Sequence, residues 1–447
     1  MPDGVDEPPL SSESAPSETP AEEHKPISRW FLFFMLRTKR GIGLMEVLGR
    51  WRVTKPLAWV MVFLTPLAAV TALYVIAIEV SALYFSPQSH QIISNVRTIS
   101  PLANFLLPGI NPYLPVSVWL AIVVAVVIHE SAHGIVARSL GMKVKSAGVL
   151  LLLFLPIGAF VEVDDKQLKQ VKSRDSLRVL GAGSGINMIF GVACILLLIL
   201  VCSTMVPATR GAAIVGVVQP TADQDSPAYT AGIQPGDFVV ALDNSPVTDL
   251  SVLHNGSFYV GEKVNVTIWR DGATKVLPNV VLTNYTTTTI NETSGQTTKT
   301  TVPFLGVDET SYSGLQSVAS SYANNYKASP IGYLIEIPTF GESQYLVPFS
   351  TVLSPFFTSP LGSYTGAVAA SLFWLFFVNF NLAIFNSLPI YPMDGGQEFE
   401  SFLRGAGKGK ISDELARRLT TGVTLAIFFA LFIVIAGPYI TGALSPA

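Results

Sequence analysis

The stretch VVIHESAHGIV, residues 126–136, places two histidines and a glutamate inside an apolar run. On a helix, positions i and i+4 share one face, so His129 and His133 can both bind one zinc ion. Glu130 is offset from them, where it can accept a proton from a water that the metal activates. Ionisable groups within a membrane span usually mark a functional site. The pattern predicts one Zn²⁺ per chain, and a hydrogen-bonded packing cluster between helices is the alternative.

The composition is that of a membrane protein. Of the 447 residues, 49% are hydrophobic and 13% are charged, whereas soluble domains carry about a quarter charged residues. The net charge of −3 gives no electrostatic reason to expect nucleic-acid binding. We therefore expect an integral membrane protein in contact with the lipid bilayer, without a nucleic-acid partner.

Five apolar runs are long enough to cross a bilayer, which takes about 20 residues of helix. They cover approximately residues 56–83, 114–139, 179–204, 364–388 and 420–443. The shorter run 149–161 contains Pro156 and Gly158 and predicts a hairpin or a re-entrant strand pair, and 101–115 has a similar character. The predicted fold class is a polytopic α-helical membrane protein with about five spans and re-entrant segments.

Residues 211–283 have a different pattern from the spans. Short β-branched runs such as KVNVTIWR (263–270) alternate with turn residues, which predicts a small β-rich domain inserted between two spans. We divide the chain into a disordered tail (1–28), a basic segment (29–55), a membrane region (56–204), the β-rich domain (205–283), a loop with a candidate gate segment (284–363) and a second membrane region (364–447).

Basic residues collect on one side of the predicted spans. Seven lysines and arginines lie in 29–55, and the loops after the second span and before the fifth are also basic. Since basic loops stay in the cytoplasm, we expect a cytoplasmic N-terminus, an extracytoplasmic β-rich domain and a location in the cell membrane. His129 lies about ten residues, roughly 15 Å, from the cytoplasmic end of its span, so the site lies nearer that side.

A catalytic zinc needs a third protein ligand and an open position. Glu162 is one candidate, because it follows the short apolar run 149–161. Asp394 is the other, because it follows the fourth span in a stretch broken by Pro389 and Pro392. A broken backbone of this kind suits the lining of a buried site. The residues alone leave both candidates open.

The chain resembles the site-2 protease family of intramembrane zinc metalloproteases. That family pairs a membrane-embedded H-E-x-x-H with a later N-x-x-P-x-x-x-x-D-G, and NSLPIYPMDG (386–395) matches every fixed position. The resemblance implies that His129, His133 and Asp394 bind zinc. It also implies that Glu130 is the base.

Two further positions follow from the same resemblance. Asn386 and Pro389 would contact the substrate strand, and Asn386 would bind either that strand or the developing oxyanion. The family often carries G-P-x-x-N in its third span, where this chain has GSGIN (183–187) with serine in place of proline. This difference leaves the role of Asn187 open, and the glycines there allow close helix packing.

The β-rich domain resembles a PDZ domain. DSPAYTAGIQPGDFVVALDNSPV (225–247) is similar to the S-P-A-x-x-A-G-(L/I)-x-x-G-D motif and the strand after it. A PDZ domain binds an extended peptide end as an added strand. We therefore expect peptide termini as partners, with AAIVGVV (212–218) as the carboxylate-binding segment.

We predict an intramembrane zinc metalloendopeptidase that cleaves peptide bonds in or near transmembrane segments of membrane-protein substrates, as in regulated intramembrane proteolysis. Helical substrates bury their amides in internal hydrogen bonds, so the segment must unwind before water attacks. A membrane metal transporter is one alternative, although transporters usually show repeated halves and this sequence shows none. An inactive PDZ-bearing membrane scaffold is the other, and the intact Glu130 speaks against it.

Overall fold

The computed structural model describes residues 27–30, 33–87, 114–152, 155–220, 226–290, 297–328, 353–407 and 410–444, with positions 89, 93 and 108. The described helices are α1 (Ile42–Gly49), α2 (Thr54–Tyr84), α3 (Val118–Ser139), α4 (Asp165–Gln170), α5 (Ser173–Ser203), α6 (Pro227–Ala231), α7 (Tyr312–Ala328), α8 (Thr365–Ser387), α9 (Asp394–Ala406) and α10 (Asp413–Leu444). Most of the predicted tail (1–28) and of the run 101–115 lies outside the described residues.

Five of the described helices are long and apolar enough to cross a membrane, namely α2, α3, α5, α8 and α10. This confirms the five predicted spans. Helix α5 begins six residues earlier than its apolar run, because its first turns are polar and still have partners. Arg178 donates to Asp175 at 3.3 Å and to the carbonyl of Lys55 at 3.1 Å.

Helix α5 lies at the centre of the membrane region and packs against α2, α3, α8 and α9. Its GAGSG run (181–185) makes this close approach possible. A Cβ atom on Gly185 would lie 2.3 Å from Cβ of Met61 on α2, which is closer than two carbon atoms can approach. The glycines therefore allow the close helix packing that the sequence predicted.

A four-stranded antiparallel sheet packs against α3. Its strands are β1 (Ile27–Trp30), β2 (Phe33–Thr38), β3 (Val144–Leu152) and β4 (Leu155–Val163), in the order β1-β2-β3-β4. Strands β3 and β4 form the hairpin predicted for 149–161. The pairing of β2 with β3 was not predicted, because residues 29–55 read only as a basic segment and the pairing joins distant parts of the chain. Strand β1, paired with β2, contains Ile27 and Ser28, which the sequence assigned to the tail.

A second group of strands forms the β-rich unit between α5 and α8. The strands from α5 to α8 are β5 (Val206–Pro207), β6 (Ala212–Val217), β7 (Phe238–Leu242), β8 (Ser245–Pro246), β9 (Lys263–Arg270), β10 (Ala273–Val281), β11 (Thr283–Ile290), β12 (Thr297–Phe304), β13 (Val307–Thr310) and β14 (Phe357–Thr358). The main sheet has the order β10-β9-β7-β6-β13, with β8 paired to β7. The predicted turns are present, since Asp243, Asn244 and Asp271 all have positive φ.

One expectation for the β-rich unit needs correction, and a second stays a prediction. The sheet takes its last strand, β13, from residues beyond 283, so the unit extends at least to Thr310. The segment 212–218 contains β6, which pairs with β13 along Ala213–Val217 but with β7 only at Ala212 and Ala213. On the β7 side, Val215–Val217 pair with no described strand, so 212–218 stays the predicted peptide-binding segment.

The β-rich unit has its own hydrophobic core, and a second cluster joins it to the helices. Phe238 of β7 meets Phe356 edge to face, with ring centroids 5.4 Å apart. Tyr326 of α7 is fully buried against Phe373 of α8, at 6.4 Å between centroids. Helix α7 therefore connects the unit to the spans that carry the site.

Candidate metal centre

His129, His133 and Asp394 meet between α3, α5 and α9. His129 and His133 are 3% and 8% exposed, and their rings lie 4.9 Å apart at 72°. Oδ2 of Asp394 is 2.9 Å from Nε2 of His129 and 3.1 Å from Nε2 of His133. One ligand atom from each residue lies within 4.8 Å of the other two. The structure thus brings the two histidines to Asp394, a residue more than 250 positions later in the chain.

The break after α8 delivers Asp394 to the site. Helix α8 ends at Ser387, the chain turns through the two prolines, and α9 begins at Asp394 itself. A Cβ atom on Gly395 would lie 2.3 Å from the carbonyl oxygen of Ser387, and one on Gly396 would lie 2.5 Å from that of Ile390. The Gly pair therefore lets the first turn of α9 lie directly against the backbone it has just left.

Helix α10 holds the turn in place. Oγ1 of Thr424 accepts a 3.0 Å hydrogen bond from the backbone N–H of Tyr391, and its one hydroxyl proton is shared between the carbonyls of Thr420 at 2.8 Å and Pro389 at 3.3 Å. Thr424 is buried, so these bonds are shielded from water and fix the segment that precedes Asp394.

Helix α5 presents one face to the two histidines, through residues spaced four apart. Val179, Gly183 and Asn187 lie on this face. The carbonyl of Val179 is 2.7 Å from Nδ1 of His133, and the Asn187 amide is 3.3 Å from Nδ1 of His129. A Cβ atom on Gly183 would lie 2.4–2.5 Å from Nε2 of both histidines. Only glycine leaves room for the imidazoles here.

Glu130 faces the sheet. Its Oε2 accepts a 2.9 Å hydrogen bond from the backbone N–H of Val161 in β4. Glu162, the next residue and the other candidate ligand, accepts instead from Ser146 at 2.7 Å and lies 3.9 Å from Arg37. It belongs to a polar group on the sheet and is not among the residues that meet at the candidate metal centre.

The two remaining predicted residues lie at the edge of the centre. Nδ2 of Asn386 is 3.4 Å from Nε2 of His129, so this half-buried amide lies beside the position where a metal would sit. The carbonyl of Pro389 lies 3.3 Å from Oγ1 of Thr424, so Pro389 belongs to the turn and is not among the potential ligands.

Two carboxyl groups of α9, those of Asp394 and Glu398, have shifted pKa values. Burial opposes ionisation of Asp394, but the charges and hydrogen bonds of His133 and His129 outweigh it and hold the pKa of this carboxyl below its usual range. Glu398, one turn later, is 8% exposed and lies against Gly181 of α5. Burial and the charge of Asp394 raise the pKa of Glu398 to about 8. Glu398 was not predicted, because no motif surrounds it.

The donor set fits zinc. Two imidazoles and one carboxylate are ligands that Zn²⁺ takes in catalytic sites. Bond lengths near 2.0–2.1 Å in tetrahedral geometry place neighbouring ligand atoms about 3.3 Å apart. The distances from Oδ2 of Asp394 to the two Nε2 atoms, 2.9 and 3.1 Å, are close to this value. Small side-chain shifts would therefore let the three atoms coordinate one zinc ion.

The sequence also matches a family of known peptidases. The model of Peptidase family M50 matches residues 117–431, which is more than half of the chain. An uncharacterized protein of Methanocaldococcus jannaschii is 32% identical over 170 residues, which are 37% of this chain and 43% of that protein. A membrane-bound transcription factor site-2 protease homolog of Arabidopsis thaliana is 29% identical over 188 residues, 39% of this chain and 35% of that protein.

A third relative aligns over a longer stretch. Zinc metalloprotease Rip1 of Mycolicibacterium smegmatis is 26% identical over 341 residues, which are 62% of this chain and 82% of that protein. The chain therefore spans less than half of the first two relatives and most of the third. The family match covers both the H-E-x-x-H motif and Asp394, which meet at one buried centre. The chain therefore belongs to peptidase family M50, the site-2 protease family of zinc metalloproteases.

Proposed function

We propose that this chain is an intramembrane zinc metalloendopeptidase that hydrolyses peptide bonds in or near transmembrane segments of membrane-protein substrates. The observation that carries the proposal is the convergence of His129, His133 and Asp394 within 4.8 Å, with Glu130 adjacent to His129. The two histidines lie inside a helix apolar enough to span the membrane. Ionisable residues in such a helix are costly and usually mark a functional site.

The three converging residues would hold Zn²⁺ through Nε2 of each histidine and Oδ2 of Asp394. When bound, zinc supplies Lewis-acid activation of a water and of the substrate carbonyl. Glu130 accepts a proton from the attacking water at its second carboxylate oxygen, since Val161 occupies the first. As the carbon–nitrogen bond breaks, Glu130 passes this proton to the leaving nitrogen. Asn386 donates its amide N–H to the substrate carbonyl oxygen as negative charge develops there.

The sheet supports binding of an extended substrate. Strand β4 pairs with β3 along one edge, and no described strand pairs with its other edge, which lies towards Glu130. An unwound substrate segment could pair with this edge as an added strand. Pro389 would act by ending α8, so that Asn386 faces such a segment. We expect helix-breaking residues near the cleaved bond to speed cleavage, and equal cleavage of matched substrates with and without them would contradict this.

The orientation follows from the basic segments. The basic loops at 29–55, 140–174 and 404–418 favour a cytoplasmic N-terminus and a β-rich unit outside the cell membrane. Cysteine labelling with a membrane-impermeant reagent tests this assignment. Single cysteines introduced in the β-rich unit should react in intact cells, whereas those in 29–55 should react only after the membrane is opened.

The β-rich unit would bind peptide termini at 212–218, on the side where Val215–Val217 pair with no described strand. Strand β13 is one of the two end strands of the sheet and offers a second edge for an added peptide. Peptides with free and with amidated C-termini, titrated against the full chain, distinguish carboxylate capture from plain strand pairing. Equal affinity of both would argue against a PDZ-like role.

Glu130→Gln tests the activity itself. The full chain in proteoliposomes should lose cleavage of a transmembrane peptide, keep its zinc and keep its fold. Glu162→Gln removes the same charge from the sheet and should cleave as the wild type does. A metal transporter would instead move zinc at an unchanged rate in Glu130→Gln, and a scaffold would show no cleavage even as wild type. Unchanged cleavage in Glu130→Gln would refute the proposal.

A further inference from the structure

Helix α5 contacts both histidines of the candidate metal centre at Nδ1, the ring nitrogen that faces away from Asp394. At His133 the partner is the carbonyl of Val179, 2.7 Å from Nδ1. A carbonyl oxygen only accepts, so Nδ1 of His133 carries the proton. The neutral ring then has its lone pair on Nε2, the nitrogen that faces Asp394 at 3.1 Å. One backbone contact therefore fixes the tautomer that a metal at Nε2 requires.

Asn187 occupies the equivalent place behind His129. It is fully buried in α5, two turns after Val179, and its amide nitrogen lies 3.3 Å from Nδ1 of His129. Its own Oδ1 is buried without a hydrogen-bond partner among the described residues. The amide can rotate by 180° about its terminal bond, because its oxygen and nitrogen ends take up nearly the same space. Rotation brings the unpaired oxygen against Nδ1.

We propose that Asn187 is a positioning residue for the metal centre, whose Oδ1 accepts a hydrogen bond from Nδ1–H of His129 and so directs Nε2 to the metal. This inference rests on the metal site proposed above. It explains why α5 carries an amide in an otherwise apolar span, and why Gly183 lies midway between the two contacts. Each imidazole then has the same tautomer, one set by a backbone carbonyl and the other by a side chain.

Zinc affinity of the full chain tests the proposal without any substrate. Apo protein is titrated with zinc against a chromophoric chelator, and Asn187→Leu should bind about 10- to 100-fold more weakly than wild type. Asn187→Asp keeps an oxygen that accepts from Nδ1–H, so it should bind within about threefold of wild type, as in carboxylate–histidine–zinc sites.

Asn379 supplies a matched control. It is fully buried in α8, and its Oδ1 also has no hydrogen-bond partner among the described residues, but its amide donates to the carbonyl of Leu375. Asn379→Leu should leave zinc affinity unchanged. Wild-type affinity in Asn187→Leu, or equal weakening in Asn379→Leu, would overturn the inference. His129→Ala binding zinc as tightly as wild type would instead refute the metal site itself.

A measurement on the wild-type protein covers the case in which Asn187→Leu does not fold. Nitrogen NMR of the zinc-loaded chain with labelled histidine reports which ring nitrogen carries a proton. Both His129 and His133 should show a protonated Nδ1 and a metal-bound Nε2. An unprotonated Nδ1 on His129 would overturn the role of Asn187.

Discussion

The backbone N–H of Val161 donates a 2.9 Å hydrogen bond to Oε2 of Glu130. The bond joins β4, the end strand of the four-stranded sheet, to α3, the helix that carries both histidines. Val161 is opposite Ala147 in the β3–β4 pair, and its N–H points away from β3 because Glu130 accepts it. The strand that we propose to receive substrate therefore also holds the proposed base.

Val161→Pro should lower kcat by roughly 10- to 100-fold, because a hydrogen bond to a charged group contributes about 1.5–3 kcal/mol. Proline removes this N–H without breaking a bond to β3, since an outward-facing edge position tolerates it. Val161→Ala keeps the N–H and should cleave within a few-fold of wild type. Zinc content, measured by mass spectrometry, should stay at one per chain in both. Equal rates in the two variants would show that the bond does not matter.

Gly183→Ala should weaken zinc binding by at least about tenfold, as loss of ligand support does in other zinc sites. The new methyl group would lie 2.4–2.5 Å from the two Nε2 atoms, so the imidazoles must move away from Asp394. Gly191→Ala is the control on the same helix, where the methyl group would meet its nearest neighbours at an ordinary 3.5 Å. Chelator competition measures both variants, and comparable affinities would contradict the steric argument.

The fold could be predicted from sequence where the signal is local. Runs of apolar residues identify spans without reference to the rest of the chain, and Pro156 with Gly158 marked the strand pair. Strands β1 and β2 were missed because a short strand beside a basic segment has no distinguishing pattern. Strand β2 joins the sheet through β3, which lies more than 100 residues later. The role of β13 was missed for the same reason, since it joins the sheet after a long hairpin.

In the candidate site, too, local features could be predicted and contacts between distant residues could not. The spacing of His129 and His133 places them on one helical face, and this can be read directly from the sequence. Asp394 reaches them only through tertiary packing, so the residues alone left it open beside Glu162. The contacts behind the histidines had even less signal. A backbone carbonyl such as that of Val179 leaves no trace in the sequence, and Asn187 stood out only as an amide in an apolar span.

Asp394→Ala should abolish stoichiometric zinc binding, because it removes the oxygen nearest to both Nε2 atoms and leaves two ligands where a catalytic site needs three. Glu162→Ala should keep one zinc per chain, since Glu162 bonds to Ser146 and lies apart from the histidines. Metal analysis of the purified proteins decides the matter. Zinc loss in Glu162→Ala with zinc retained in Asp394→Ala would reverse the assignment of the third ligand.

Glu309→Gln should stabilise the β-rich unit at neutral pH. Burial raises the pKa of Glu309 above its ordinary value of 4.5, opposed by the N–H of Leu250 and by His254 and assisted by Asp249. An acid whose folded-state pKa is raised contributes its full stability below pH 4.5 and loses it as the pH rises through the folded-state value. At pH 7 the folded unit therefore bears the cost of an acid whose charged form is poorly solvated, and the neutral amide removes that cost.

Hydrogen exchange of β6 and β13 in the full chain measures this effect. Glu309→Gln should exchange more slowly than wild type at pH 7.5, and the difference should vanish near pH 4, where Glu309 is protonated in both states. Glu262→Gln removes the same charge from an exposed turn, where Glu262 accepts from Tyr259, and should change protection little. A difference that persists at pH 4 would mean that the amide acts through packing and not through the buried charge.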